Sequence, residues 1–292
     1  MNYLLGLHGE HLEDRIDEQI KGVGMIRSEY LCRKIEEYFT LETCRNSVKS
    51  YVSQICEIFT PSEVWYRTSE LITPEVNVLR GADYIIEEKY YTLGLRGTRR
   101  GLAFPDTFAL ELSNISKVAK QYSNLNVLFP YIKDAFELEQ CIDLLNKFGF
   151  KNKFGIMAEI PSAIITIDDF IGLGISNITV GVNDLTTLVL GTYRDSEYHN
   201  CTHPAVIRLI EYLVNKASGK NIEVNVAGNV NKELCHICEN IGVDNFIVNY
   251  PLLPDILGID NTRLSDIHLL KDIKALTKQR RQERAQCNTE NC

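Results

Sequence analysis

Short apolar runs rich in β-branched residues alternate with longer amphipathic runs along most of this 292-residue chain. Each short run is almost continuously apolar, which is typical of a parallel strand covered on both faces. The alternation therefore predicts parallel strands joined by crossover helices. The predicted strands are 22–29, 64–70, 126–132, 154–160, 177–184, 222–228 and 245–250, with a weaker candidate at 90–97 as the eighth.

Helical patterns lie between these strands, at 107–122, 135–149, 204–219 and 231–242. Eight strand–helix units over roughly 250 residues match the size of a (β/α)₈ TIM barrel, and we predict this fold. Residues 30–60 are predicted to form an inserted helical hairpin on the outside of the barrel. The alternative fold is a doubly wound sheet, although no G-x-G-x-x-G or Walker motif follows any strand.

Charge and composition indicate one globular domain. We assign residues 1–272 to the barrel and 273–292 to a polar, flexible tail. A formal net charge of −8 argues against a nucleic-acid-binding protein, which needs a basic surface. No apolar run approaches the roughly 20 residues of a membrane span, and the N-terminus does not resemble a signal peptide. We therefore expect a cytoplasmic protein whose nine irregularly spaced cysteines are reduced.

Polar residues cluster at the carboxyl ends of the predicted strands, where (β/α)₈ barrels carry their chemistry. Glu159 and Asp184 come from neighbouring strands and could share one Mg²⁺, leaving coordination sites open for substrate oxygens. Arg67 and Arg96 end two other predicted strands, and arginine binds carboxylate or phosphate through paired hydrogen bonds. The alternative interpretation is that these residues form structural ion pairs.

Several segments resemble the C-terminal barrel of the PEP-utilising enzymes, which binds phosphoenolpyruvate (PEP) or pyruvate. The family includes phosphoenolpyruvate synthase, pyruvate phosphate dikinase and Enzyme I of the sugar phosphotransferase system. The resemblance covers about residues 20–255 and is strongest to the phosphoenolpyruvate synthase branch. The matching segments, in the family's order, are GVGMIRSE, YRTSE, LGLRGTRR, NVLFPYI, IMAEIPSA and VGVNDLTTLVLGTYRDS.

The resemblance implies roles for individual residues. It implies that Mg²⁺ is bound by Glu159 and Asp184. The residues implied to contact the ligand's phosphate and carboxylate are Arg67, Arg96, Asn183, Asp184 and Arg194. The three arginines would also act in catalysis, because they would offset negative charge during phosphoryl transfer.

One departure from the family bears on mechanism. The family has an acid/base cysteine before the glycine at the end of strand seven, whereas this chain has Ala227 in NVAGN. Alanine cannot transfer a proton, so interconversion of pyruvate and its enolate by the family's route is in doubt.

We predict a Mg²⁺-dependent phosphotransferase subunit that binds PEP or pyruvate. The sequence contains neither an ATP-grasp domain nor a phosphohistidine domain, so both are expected from separate partner proteins. One alternative is a lyase or aldolase that acts on PEP or pyruvate through a Mg²⁺-stabilised enolate. The other is a PEP-binding protein without catalytic activity. The resemblance also implies a homodimer formed through the barrel.

Three further groups carry reactive side chains. The HGEH motif at 8–11 precedes the predicted barrel, so surface or capping roles are predicted for it. Cys235 and Cys238 have C-x-x-C spacing but lie on a helical pattern, and we predict buried core thiols. In the loop after strand six, His199 and His203 are candidates for a general acid/base that replaces the missing cysteine.

Overall fold

The computed structural model describes residues 2–82 and 86–260, together with residues 275, 279, 282 and 283. Its parallel strands close into a barrel in chain order, and the first strand pairs with the last. The strands are β1 Asn2–Leu7, β2 Ile20–Arg27, β3 Val64–Arg67, β4 Leu125–Phe129, β5 Phe154–Met157, β6 Asn177–Gly181, β7 Glu223–Ala227 and β8 Asn245–Asn249. The predicted (β/α)₈ barrel is confirmed, and closure excludes the doubly wound sheet.

Residues 8–19 join β1 to β2 without a helix, whereas helices connect the strands from β2 to β8 and cover the outside of the barrel. They are α1 Ser28–Ile35, α2 Glu42–Phe59, α3 Thr73–Val76, α4 Gly97–Ala103, α5 Pro105–Ala119, α6 Ala135–Lys147, α7 Pro161–Ile165, α8 Ile167–Gly172, α9 Val182–Leu190, α10 Pro204–Ala217, α11 Lys232–Asn240 and α12 Leu253–Leu257, with a 3₁₀ turn at Tyr250–Leu252. The predicted hairpin at 30–60 is formed by α1 and α2, which make the connection from β2 to β3. The four predicted helices correspond to α5, α6, α10 and α11.

The eighth strand is not at 90–97, and that prediction is wrong. Strands β3 and β4 pair directly with each other, so no place exists between them for another strand. Residues 90–97 instead form mainly turns, and Tyr90 and Leu93 are 68% and 53% exposed. The missing strand is β1, which lies between β8 and β2 and buries Leu5 and Leu7 completely.

Side chains alternate along each strand between the outer core and the inside of the barrel. In β3, Val64 and Tyr66 pack in the outer core, whereas Trp65 belongs to a separate inner cluster. The inner cluster consists of Met25, Trp65, Leu128, Met157, Ala227 and Ile247. Arg67 lies two positions after Trp65, and Glu159 lies two positions after Met157. By the same alternation, both side chains point into the barrel, above this cluster.

Two further sequence predictions concern membrane-spanning segments and the C-terminal tail. Within residues 2–82 and 86–260 and the four further described positions, no helix is long and apolar enough to cross a membrane. The predicted polar tail at 273–292 lies outside the described residues apart from those four positions.

Candidate functional site

A cavity of about 770 Å³ opens at the carboxyl ends of the strands. Met25, Met157 and Ala227 of the inner cluster line it, and we call these three residues the cavity floor. Its lining also includes the six residues predicted for the site, namely Arg67, Arg96, Glu159, Asn183, Asp184 and Arg194. The structure therefore brings every predicted site residue into one cavity.

Three carboxylates meet in the wall of this cavity. Glu70, Glu159 and Asp184 each offer an oxygen that lies within 4.8 Å of the other two. Burial, together with the charges of Glu70 and Asp184, raises the pKa of Glu159 well above its ordinary range. Such a crowded set of oxygen donors fits a divalent cation, which would compete with a proton for the same carboxylate.

Two local features hold Glu159 in this position. Gly181 ends β6 directly beside it, and a Cβ atom at position 181 would lie 2.6 Å from Glu159 Cγ. A larger residue at 181 would therefore displace the Glu159 side chain. On the other side, the backbone N–H of Tyr131 donates a hydrogen bond to Glu159 Oε1 at 3.2 Å. Tyr131 has a φ of 51°, an unusual value for a residue other than glycine.

Arg96 connects the carboxylates to one another. Its Nη1 and Nη2 atoms each lie 3.2 Å from an oxygen of Asp184, and Nη2 also donates to Glu70. The guanidinium group stacks on the ring of Tyr131, with 4.2 Å between its central carbon and the ring centroid. Arg96 is thereby held over the cavity by both charge and aromatic contact.

Asp184 also binds a second arginine. Arg194 Nη2 lies 2.5 Å from Asp184 Oδ2, while the Arg194 side chain remains 52% exposed. Burial works against ionisation of Asp184, but Arg96 and Arg194 outweigh it and lower the pKa of this carboxyl below its ordinary range. Asp184 is therefore an ionised carboxylate with one buried and one exposed cationic partner.

Arg67 lies deeper, between two further carboxylates. Its Nη1 is 2.6 Å from Glu70 Oε2, and its Nη2 donates to Glu29. Burial raises the pKa of Glu29, but Arg67 and Arg27 outweigh it and lower this pKa to about 2. The Nε atom of Arg67 is buried and has no hydrogen-bond partner among the described residues. A continuous network of opposite charges thus runs from β2 to the loop after β6.

Glu70, Glu29 and Tyr131 are site residues that the sequence predictions did not include. Glu70 could have been predicted from the sequence, because it lies three residues after Arg67 in the segment that follows a barrel strand. Glu29 similarly follows Arg27 at the end of β2. Tyr131 gave no such signal, since it contributes a backbone N–H and a ring face rather than a charged group.

The surface role predicted for the HGEH motif is wrong for His8 and Glu10. They are only 1% and 0% exposed, because they directly follow β1, which is part of the barrel. His8 Nδ1 is 3.2 Å from Glu10 Oε1, and His8 Nε2 is 3.2 Å from Arg27 Nη1. Burial lowers the pKa of His8, and the hydrogen bond that His8 donates to Glu10 opposes this shift. His11 is exposed, as predicted.

The two candidate histidines of the loop after β6 differ in position. His199 lines the cavity, and its Nε2 lies 3.1 Å from the backbone oxygen of Asn183, which can only accept a hydrogen bond. His203 instead caps α10 by accepting a hydrogen bond from the Ala205 N–H at 3.1 Å. Only His199 is therefore placed to act in the cavity.

The C-x-x-C pair is remote from this chemistry. Cys235 and Cys238 are 4% and 0% exposed on α11, and both belong to the outer core. The prediction that they are buried core thiols is confirmed.

A buried acid supports the segment that carries Arg67 and Glu70. Glu111 of α5 is 3% exposed and accepts hydrogen bonds at 2.8 Å from Tyr66 Oη and from the Ser69 N–H. Burial raises the pKa of Glu111 from its ordinary value of 4.5 to about 7. The folded protein therefore holds a proton on Glu111 at pH values where the unfolded chain has already released it.

We expect the stability contributed by Glu111 to fall as the pH rises towards 7, the folded pKa of this carboxyl. One pKa unit corresponds to about 1.4 kcal/mol. The unfolding free energy of Glu111→Gln, relative to that of the native chain, should therefore rise by up to about 3 kcal/mol between about pH 5 and about pH 8. Urea unfolding of both proteins at the two pH values measures this change. A difference in unfolding free energy that does not vary with pH would contradict it.

A closed barrel with buried carboxylates and arginines around one mouth defines a (β/α)₈ protein with a polar ligand site at the carboxyl ends of its strands. Residues 8–257 match the family described as PEP-utilising enzyme, PEP-binding domain. The chain belongs to this family.

Known relatives carry the name of phosphoenolpyruvate synthase. A probable phosphoenolpyruvate synthase of Pyrococcus abyssi is 30% identical over 78% of this chain and 30% of its own length. The phosphoenolpyruvate synthase of Pyrococcus furiosus is 29% identical with the same coverage. Among solved structures, malate synthase from Haloferax volcanii aligns with 71% of this chain and 57% of its own, at 10% identity and a TM-score of 0.46. The chain spans about 30% of the length of the two synthases.

Proposed function

We propose that this chain binds PEP or pyruvate together with one Mg²⁺ and serves as the PEP/pyruvate-binding part of a phosphotransferase. The observation that carries the proposal is the meeting of the Glu70, Glu159 and Asp184 oxygens within 4.8 Å in a cavity also lined by Arg67, Arg96 and Arg194. Of the three carboxylates, Glu159 and Asp184 would hold the cation, because the resemblance implies ligand roles for them.

The chemistry follows from the placement of these groups. When bound, Mg²⁺ would supply a Lewis acid that stabilises negative charge on the enolate oxygen. Arg67 and Arg96 would bind the ligand's anionic groups from the buried wall, where hydrogen bonds between charges are strong. Arg194 would contact the ligand from the exposed mouth. Together these fixed positive charges would offset charge that develops during phosphoryl transfer.

The remaining steps of the proposed activity need groups that the residues lining this cavity do not provide. The chain spans about 30% of the length of the phosphoenolpyruvate synthases it resembles. We propose that an ATP-grasp unit and a phosphohistidine unit act from outside the barrel, with the phosphohistidine entering at the open mouth of the cavity. Assembly of the barrel into a homodimer stays a prediction.

One observation favours a second function. Ala227 is 1% exposed in the cavity floor, so a methyl group occupies the position where the resemblance implies an acid/base thiol. A lyase or aldolase that needs no proton delivered from β7 would tolerate this alanine, and so would a PEP-binding protein without catalysis. An assay for transfer of phosphate from PEP to a phosphohistidine protein distinguishes these functions. Only the phosphotransferase is expected to transfer phosphate, whereas the lyase or aldolase and the non-catalytic binding protein are not.

The primary test is calorimetric titration with PEP, pyruvate and oxalate, each with Mg²⁺ and with a chelator. We expect all three to bind, and Mg²⁺ to tighten binding at least about tenfold because a cation held by Glu159 and Asp184 would offset their negative charge and attract the anionic ligand. Affinities that are equal with Mg²⁺ and chelator, or no binding at all, would contradict the proposal.

A further inference from the structure

Among the described residues, Glu70 is the carboxylate that forms ion pairs with both Arg67 and Arg96 in the cavity wall. It lies three residues beyond Arg67, and its side chain is 5% exposed. Its Oε2 is 2.6 Å from Arg67 Nη1, while its Oε1 accepts from Arg96 Nη2. We call Arg67 and Arg96 the arginine pair.

The arginine pair has little hydrogen-bonding capacity left for a ligand. Besides Glu70, Arg67 binds Glu29 and Arg96 binds Asp184, so the terminal nitrogens of both guanidinium groups already contact carboxylates. The Nε atoms of both arginines are buried and have no hydrogen-bond partner among the described residues. The pair therefore lines the cavity, but its terminal nitrogens are occupied by acids of the protein itself.

A ligand anion that joined this arrangement unchanged would face strong repulsion. Glu70 lies within 4.8 Å of the Glu159 and Asp184 oxygens, and a further anion beside them would add like charge in a buried setting. Moving the Glu70 carboxylate away would remove this repulsion, release Arg67 Nη1 from its carboxylate partner and remove one of the two carboxylate contacts of Arg96 Nη2.

We propose that Glu70 is an internal counter-anion of the arginine pair that an anionic ligand must displace. This inference rests on the proposed function. Glu70 competes with the ligand's phosphate or carboxylate for the same guanidinium groups, and it thereby weakens binding in the absence of the cation. A cation held by Glu159 and Asp184 attracts the nearby Glu70 carboxylate and so favours its release from the pair. Cation and anion consequently assist one another's binding.

The test is the affinity of Glu70→Gln for PEP and oxalate, measured by calorimetry in a chelator and again with Mn²⁺. Glutamine keeps the shape of the side chain but does not carry the competing charge. We expect metal-free binding to become about tenfold tighter, with a smaller further gain from Mn²⁺ than in the native chain.

Glu75→Gln is the matched control. Glu75 also lines the cavity, but its Oε1 binds Arg33 at 2.8 Å. Its substitution removes the same charge from the same cavity without touching the arginine pair. We expect metal-free affinity to change less than about threefold, and an equal gain in both variants would overturn a specific role for Glu70.

A second variant covers the case in which Glu70→Gln does not fold. Glu70→Asp keeps the buried charge, but its shorter side chain cannot reach both arginines, and we expect a smaller tightening of metal-free binding. Unchanged or weaker metal-free binding in the folded variants overturns the inference alone, provided that the native chain binds PEP with Mn²⁺. A native chain that binds neither PEP nor oxalate with Mn²⁺ overturns the proposed function and the inference together.

Discussion

Asp184→Asn is expected to weaken Mn²⁺ binding by at least about 100-fold, because it removes one of the two carboxylates proposed to hold the cation and replaces its charge with a neutral amide. The same change leaves Arg96 and Arg194 without their shared ionic partner. PEP affinity in the presence of Mn²⁺ should fall in parallel. Electron paramagnetic resonance of free Mn²⁺ measures the first effect, and calorimetry measures the second.

Asp195→Asn is the matched control for this prediction. Asp195 is exposed in the loop after α9, next to Arg194, and is not part of the cavity lining. The control makes the same chemical change to the same total charge, so we expect Mn²⁺ affinity to stay within about twofold of the native value. Equal losses in both variants would mean that total charge, rather than coordination by Asp184, governs cation binding.

Ala227→Cys is expected to create exchange of the pyruvate methyl protons with solvent. A thiol at position 227 would enter the cavity floor beside Met157 and supply the proton-transferring group that the resemblance implies there. General acid–base catalysis contributes about 100-fold or more, so exchange should rise from the background rate by at least that factor. Deuterium incorporation into pyruvate in heavy water with Mg²⁺, followed by NMR, measures it.

Ala227→Ser is the control, because a hydroxyl group of similar size transfers protons far less readily than a thiol. It should exchange no faster than the native chain. Native exchange as fast as that of Ala227→Cys would show that another group carries the proton, and His199 in the cavity wall would be the first to replace.

The barrel was predictable because its signal is repeated. Parallel strands buried on both faces give apolar runs whose number and spacing fix the fold class, and seven of the runs are strands of the barrel. The error at 90–97 has a physical reason. The large apolar residues Tyr90 and Leu93 of this segment are exposed rather than buried in a strand, and composition alone does not distinguish these two cases. Strand β1 was missed because the polar motif at 8–11 follows it directly.

Arg67 and Glu159 were accessible from the sequence for a related reason, whereas Arg96 was proposed through the incorrect strand at 90–97 and Arg194 only through the family resemblance. Arg67 ends β3 and Glu159 follows β5, and because side chains alternate along a strand, a polar residue two positions after an inward apolar one also points inward. Placement at one end of a closed barrel then brings distant parts of the chain together.

The network that links these residues was not accessible. Glu70 owes its role to two arginines that are 29 positions apart in the chain and meet only in the folded barrel. Tyr131 acts through an unusual backbone conformation and the face of its ring. The position of Glu70 after Arg67 is visible in the sequence, but its contact with Arg96 and the contacts of Tyr131 have no local signature, because they join parts of the chain that meet only in the folded barrel.

The central claim is that Glu159 and Asp184 hold one cation next to the arginine pair. Anomalous X-ray diffraction from crystals grown with Mn²⁺ and oxalate tests it most directly. We expect one manganese peak at a bonding distance of about 2.2 Å from a carboxylate oxygen of each residue, with oxalate bound to the same ion and to at least one arginine of the pair. A manganese ion bound elsewhere, or guanidinium groups turned away from the oxalate, would contradict the account.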